Sequence, residues 1–330
     1  MSASASQTIK PAGNPQRQPL RRLLLFLKRV KKQYILILMC LPALTAIVIF
    51  NYAPMYGVQI AFKEYKVALG IWGSPWVGLK HFKAFFSNPF ALRTVKNTVV
   101  LGIYYFLWGF PAPILLALLI NEIYRNKFKR LVQTVTYLPY FISTVVIVGM
   151  LRNFTTIDGG LINQIITYFG GEPINFFGKP EWFRTMYIAS GIWKGVGWGT
   201  IIFLAALSGV NMELYDAAAI DGANRWQRVR NIAIPAIMPT ISILMILNIG
   251  GILGSDFEKI LLMYSEANYS TADTISTYVY REGINGGWGT GGTPRYSYTA
   301  AVGLMMSAVS FVFVYAANRI SRKISDISLW

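Results

Sequence analysis

Six long apolar segments, separated by polar or charged connections, dominate the chain: roughly residues 34–55, 94–121, 131–151, 186–210, 232–264 and 296–318. Each reaches the ~20 residues that a helix needs to cross the hydrocarbon core of a bilayer. The pattern therefore predicts an all-α, polytopic membrane protein with six transmembrane helices. The first, third and last segments are clean apolar runs. The fifth is longer than a bilayer requires and carries Gly250, Gly251 and Gly254. That composition predicts a bent, tilted or broken span whose freed backbone groups are satisfied by neighbours or by a cavity.

The connection over residues 211–231 differs from the others in being polar and helix-ready. Leu214, Ala217 and Ala218, with Ala219 and Ile220 a turn on, make a small apolar face, and Glu213, Asp216 and Asp221 line the other side. Acidic residues near a helix start are favoured by the dipole, and Gly222 permits the left-handed geometry that ends such a helix. Arg225, Arg228 and Arg230 lead into the fifth span, whose entry is marked by Pro235. A loop that only joined two spans could be shorter and plainer, so its structure points to a partner. A surface helix with ordinary caps accounts for the same residues.

Composition agrees with the spans. Apolar residues make up 54% of the chain and charged residues 14%, against about 25% charged in a soluble domain. Of the 31 Lys and Arg residues, 18 lie before the first span, in the second and fourth connections, and after the last span. The positive-inside rule then places both termini and the 211–231 loop in the cytoplasm. The net charge of +17 is thus largely topology and not a nucleic-acid signature. Residues 1–20 have a disordered composition, and 21–32 form a basic amphipathic stretch suited to the inner leaflet. Residues 1–32 are read as this N-terminal segment, and 33–330 as the six-helix domain. A cleaved signal peptide is disfavoured, because the first apolar segment is of full-span length and no small-x-small site follows it.

Enzyme chemistry finds little support. His81 is the only histidine and Cys40 the only cysteine, which excludes a His/Cys metal cluster and an internal disulfide. The Gly286–Gly292 run lacks the Gly-Lys-Ser/Thr ending of a phosphate-binding loop and reads as a flexible external loop.

Asp216-Ala217-Ala218, Gly222 and Ile232-Ala233-Ile234-Pro235 resemble the EAA loop of permease subunits from ATP-binding-cassette (ABC) importers at every spacing. Asp216 stands where the family has Glu, and Ile234 where it has Leu. Tyr137-Leu138-Pro139, Ile192-Trp193-Lys194 and Leu204–Leu207 are similar to the carbohydrate-uptake, MalF-like branch. Asn51–Gly57 and Phe257–Tyr264 resemble the LplB-like permeases, a group associated with oligosaccharides and polysaccharide fragments. The resemblance implies a type I importer permease in a bacterial cytoplasmic membrane, without a catalytic residue or cofactor of its own. It also implies a coupling helix built from Glu213, Tyr215, Asp216, Ala217, Ala218, Ala219, Asp221 and Gly222. That helix would seat in a dimer of cytoplasmic ATPase subunits, which hold the ATP and Mg. A second permease subunit and an extracellular or periplasmic solute-binding protein complete the implied assembly, with membrane lipid around it and no nucleic acid.

Sugars are commonly held by aromatic faces and fixed by a few polar groups. Trp193, Lys194 and Trp198 in the fourth span, with Asn248, Asp256 and Glu258 in the fifth, are therefore the candidate substrate path. The tryptophans could equally be an interfacial belt, with Lys194 snorkelling outward. An ion-coupled secondary transporter is the alternative function, with Asp256 and Glu258 as its ion site.

Overall fold

The computed structural model describes residues 32–284, 286 and 293–325. The N-terminal segment up to residue 31, and the glycine loop beyond Gly286, lie outside the described residues. The chain divides into two compact units, Met1–Gln59 and Ile60–Trp330. In the first, α1 (Tyr34–Ile47) runs through Pro42 into a π turn, Val48–Tyr52. No side chain of α1 is buried, as expected of a helix apolar all round whose solvent is lipid.

The second unit begins with a surface segment carrying α2 (Lys80–Phe86). The next apolar stretch is α3 (Pro89–Gly109), N-capped by Asn88, and α4 (Pro111–Asn121). Pro111 and Pro113 lack the N–H groups that would continue the ladder evenly, yet the two helices still form one candidate span, Pro89–Asn121. The fourth apolar segment is a single 29-residue helix, α8 (Pro180–Ser208), and the last is Tyr296–Ser325. Among the described residues, five helical stretches are long and apolar enough to cross a membrane. A bent pair, Asn126–Phe141 with Thr144–Thr155, makes a sixth when the two helices are counted as one span.

That bend divides the third apolar segment, residues 131–151, which reads in the sequence as one clean run. Helix α5 (Asn126–Tyr137) tightens into a 3-10 turn at Leu138–Phe141, the chain extends at Ile142 and Ser143, and α6 (Thr144–Thr155) leaves at 100°. Pro139 cannot donate in the turn. The Ser143 hydroxyl accepts from the Val146 N–H at 3.3 Å, giving the new helix its N-cap.

A short helix α7 (Leu161–Tyr168) precedes α8, and beyond α8 lie α9 (Met212–Ile220), α10 (Arg225–Arg228) and α11 (Ile234–Gly250). The expected break in the fifth span is present. Helix α11 stops at Gly250, and after a turn the chain restarts as α12 (Phe257–Met263), N-capped by Asp256. Two further helices, α13 (Ile275–Gly283) and α14 (Tyr296–Ser325), complete the unit.

Three apolar clusters hold the unit together. Leu101, Phe183, Met186, Ile260 and Met263 join α3, α8 and α12. Ala117, Phe203, Leu207, Ala233 and Ile237 join α4, α8 and the start of the fifth span. Phe85, Ala91, Tyr278, Tyr298 and Val302 join α2, α3, α13 and α14. Trp108 and Leu119 point outward at more than 60% exposure, the surface expected of lipid-facing spans.

A buried polar hub fixes the segment between α12 and α13. Asp273, fully buried, accepts from both terminal nitrogens of Arg281 at 3.1 and 3.0 Å, from Arg93 on α3 at 3.3 Å and from the Thr277 hydroxyl at 3.0 Å. Asn97 donates to the carbonyls of Ser270 and Asp273, and Arg184 on α8 donates to Asn97. Every lone pair of the carboxylate is engaged, which is the condition under which a buried charge is tolerated.

Candidate functional site

The helix expected in the 211–231 loop is α9, and its own sequence closes both ends. The Asn211 side chain accepts from the Glu213 N–H at 3.0 Å, and Glu213 adds its charge to the first turn. At the other end Gly222 has φ +75°. Its N–H donates to Ala219 O at 3.1 Å, and that of Ala223 to Ala218 O at 2.8 Å, the paired bonds of a Schellman motif. A reciprocal capping box between Asn224 and Gln227 then starts α10 at once. Arg225, Arg228 and Arg230 are therefore helical. The fifth span begins ahead of Pro235, whose missing donor falls just after a π turn over Val229–Ala233. No residue of α9 is buried, and Met212, Leu214 and Ile220 are 68%, 53% and 87% exposed. Met212 shares a helix face with Tyr215, Asp216 and Ala219, and these four line a cavity between α9 and the ends of α4, α5 and α8.

Further along α8, a cavity of about 410 Å³ brings Lys194 together with Asp256. An adjoining one of about 220 Å³ includes Asn248, whose side-chain amide donates back to Leu244 O. The two share Tyr105, Gly191 and Gly195. Trp198 borders the first through Tyr140, on which it stacks at 4.5 Å with rings 4° from parallel. Trp193 lies elsewhere, in an apolar groove with Ile147, Met150 and Phe154. Consecutive helical residues point about 100° apart, so Trp193 and Lys194 cannot share a wall. Glu258 is exposed and borders neither cavity. The six candidate path residues thus separate into Lys194, Asp256, Asn248 and Trp198 around one track, with Trp193 and Glu258 off it.

The same cavity presents residues that the sequence did not single out: Tyr105, Tyr140, Tyr187 and, above all, Lys259. Lys259 is 4% exposed. Its ammonium donates to Tyr187 O at 2.7 Å and lies 4.6 Å from the Tyr187 ring centroid. Among the described residues no carboxylate comes within salt-bridge distance of it. Asp256 is nearby, but its Oδ1 accepts from the Lys259 backbone N–H at 3.1 Å, capping α12, and its carboxylate does not come within salt-bridge distance of the ammonium. Gly191 makes room for the ammonium: a Cβ there would stand 3.3 Å from Lys259 Nζ and 3.0 Å from the Tyr105 ring. Lys194 donates to the Thr144 hydroxyl at 3.0 Å, beside the N-terminus of α6, where the helix dipole is also positive. Two ammonium groups therefore line, with one carboxylate, a cavity walled by three tyrosines. A lone lysine just ahead of Ile260-Leu261-Leu262-Met263 was the available signal. Beside Glu258 it reads as an ordinary surface pair.

Residues 109–326 match the model of the binding-protein-dependent transport system inner membrane component family. The chain belongs to that family. It is 45% identical over 304 residues to protein LplB of Bacillus subtilis, covering 92% of each chain. It is 43% identical over 310 residues to the polygalacturonan/rhamnogalacturonan transport system permease protein YteP of the same organism, covering 94% of each. A chain in the crystal structure of a bacterial ABC transporter involved in the import of the acidic polysaccharide alginate superposes with a TM-score of 0.82 at 41% identity. The match covers 91% of this chain and 99% of that one. A second structure of an alginate transporter, in complex with an alginate pentasaccharide-bound periplasmic protein, matches equally well, with a TM-score of 0.82 at 40% identity. This inner membrane permease is thus a multi-pass component of an ABC importer, and membership of the family overturns the ion-coupled alternative.

Proposed function

We propose that this permease is one of two subunits forming the pathway of an ATP-driven importer for oligosaccharides that carry carboxylate groups. The observation that carries the reading is Lys259, a buried ammonium without a carboxylate partner, on the cavity it shares with Lys194. A charge buried without a counterion is expensive, and a sugar carboxylate entering the cavity would supply the missing one. Relatives named for alginate and polygalacturonan, both polymers of uronic acids, support the same substrate class. Tyr105, Tyr140 and Tyr187 offer the ring faces and hydroxyls that hold pyranose rings, Trp198 backs Tyr140, and Asn248 continues the track.

Both termini and α9 face the cytoplasm, following the distribution of Lys and Arg. Helix α9 docks on a separate ATPase subunit through its exposed side, with Leu214, Ala217 and Ile220 outermost and Ala218 allowing close approach. Glu213 and Asp221 stand at its two ends, and Tyr215, Asp216 and Ala219 brace its inner side. ATP and Mg bind on a dimer of those subunits. Closure of the dimer drags α9 and, through the short Schellman and capping-box link, the α10–α11 helix. The pathway then opens outward to receive sugar from a solute-binding protein, and hydrolysis resets it.

The test is uptake into vesicles by the permease assembled with its sibling, ATPase and solute-binding protein, comparing oligogalacturonate or alginate oligomers with neutral oligosaccharides of equal length. Lys259→Met keeps the length and apolar stem while removing the charge. It should leave assembly intact and weaken uptake of the acidic sugar about 10- to 100-fold, the worth of a charge-assisted hydrogen bond. Equal transport of neutral and acidic oligomers by the native complex would overturn the substrate class. Uptake of either without an ATPase would overturn the ABC reading itself.

A further inference from the structure

Behind α9 lies the largest of the described cavities, about 920 Å³, and the coupling role of α9 does not account for it. Its polar wall carries Lys129, Arg225 and Arg228 opposite Glu122 and Asp216. Among the described residues none of these five charges is in a salt bridge. Two buried polar groups point to something missing. Arg228 Nε has no hydrogen-bond partner, and the Tyr215 hydroxyl lies beside Asn121 without a well-formed bond. The Arg228 Nε–H can only donate and the Tyr215 hydroxyl can donate, so one acceptor would serve both. The rest of the wall includes Asn121, Gln133 and Ser208 and an apolar part formed by Ile201, Leu204 and Leu207 near the end of α8.

We propose that this cavity binds the headgroup of a phospholipid, with its phosphate accepting from Arg228 and Tyr215 and balanced by Lys129 and Arg225. Arginine and tyrosine donors match phosphate oxygens, and Ile201, Leu204 and Leu207 offer an apolar surface to the start of the acyl chains. The two carboxylates narrow the choice further. A bare phosphate would meet Glu122 and Asp216 as like charges. A phosphodiester whose headgroup carries donors, the hydroxyls of glycerol or the ammonium of ethanolamine, satisfies them. A choline headgroup has a cation but no donor, so it can hydrogen-bond to neither. Bound there, the lipid would brace the inner side of α9. Only this effect on coupling rests on the function proposed above; the binding itself does not.

The complete transporter should therefore retain phosphatidylglycerol and phosphatidylethanolamine, but not phosphatidylcholine, when delipidated and examined by native mass spectrometry. Arg228→Gln should lower that retention about ten-fold, since it removes one charge-assisted hydrogen bond. Lys129→Gln should lower it less, through charge alone. In vesicles of phosphatidylcholine, adding either donor-bearing lipid should raise substrate-stimulated ATP hydrolysis by the native complex and not by Arg228→Gln. Retention that ignores the headgroup, or is unchanged in Arg228→Gln, overturns the proposal. Restoration of coupling in phosphatidylcholine by inorganic phosphate alone overturns the lipid as the source and makes the site one for a free anion. Native uptake in the same preparations reads the importer function separately, so failure of the lipid site and failure of that function cannot be confused.

Discussion

The two ends of α8 are built in opposite ways. Near its start, Arg184 joins a hub in which fully buried Asp273 is bonded by Arg93, Arg281 and Thr277. Past its end, α9 has no buried residue, and its hydrogen bonds are the ladder, caps and turns of its own chain. The hub binds elements distant in sequence to one another. Helix α9 is rigid within itself and offers its exposed apolar residues to something else. A region that carries its own cross-links supports the pathway, and a region that carries only caps is free to move as a body when a partner pulls it.

The largest effect should come from the hub. Asp273→Ala leaves Arg281 facing an empty site and Arg93 without its partner, and breaking a buried ion pair from one side costs about 3–5 kcal/mol. The variant should show a sharply lower melting temperature and poor recovery in detergent. A melting temperature within a degree or two of the native protein would mean that the hub is not what fixes the segment between α12 and α13.

At the other end the expected damage is to coupling and not to folding. Gly222 sits at φ +75° with open space where a Cβ would go, so the cost of Gly222→Val is backbone strain, about 1–2 kcal/mol or more for a β-branched residue. That strain would undo the Schellman motif and with it the fixed angle between α9 and α10. The chain should insert and pair with its sibling while uptake falls relative to ATP hydrolysis. Proportionate loss of both, together with loss of assembly, would show instead that the turn serves folding. A crosslinking scan from Tyr215 to Ala223 against the ATPase checks the contact itself.

The contrast also explains which parts could be read from the sequence. The α9 turn was legible because every group that makes it lies between Asn211 and Gln227, and the glycine break of the fifth span is equally local. The bend in the third span was local too, with Pro139 followed by Ser143, but an apolar run masked it. Lys259 was not legible. Its burial depends on Tyr187 and Gly191 from α8, and a lysine following Glu258 carries no sign of which way it points. Trp193 and Lys194 are adjacent in the chain and divided by the helix. Asp273 has Thr277 and Arg281 four and eight positions on, but its burial depends on Arg93, 180 positions away, and no local pattern announces that.

A smaller effect separates helix formation from docking. Asn211→Ala removes the side-chain acceptor at the start of α9, a change worth about 1 kcal/mol. If α9 is held by its caps, the variant should bind the ATPase subunits several-fold more weakly, and binding should recover with Asn211→Asp, which restores the acceptor. Unchanged binding in both variants would mean that the ATPase groove imposes the helix whatever caps it.

The smallest effect makes the comparison sharpest, because it concerns the shortest ion pair described. Lys80 and Glu64 stand 2.6 Å apart, closer than Arg281 and Asp273 at 3.0 Å, but their side chains are 63% and 40% exposed, whereas that of Asp273 is fully buried. The Lys80 hydrogen bond holds the Glu64 carboxyl below its usual range. The stabilisation is therefore present above the ordinary glutamate pKa and is lost as pH falls through the lowered one. Water and salt screen such a pair, and its worth is about 0.2–1 kcal/mol. Lys80→Met should thus change the melting temperature slightly at neutral pH, not at all once Glu64 is protonated, and less in high salt. An effect comparable to that of Asp273→Ala would show that separation sets the strength of these pairs; the expected disparity assigns it to burial and to the completeness of the bonds around the charge.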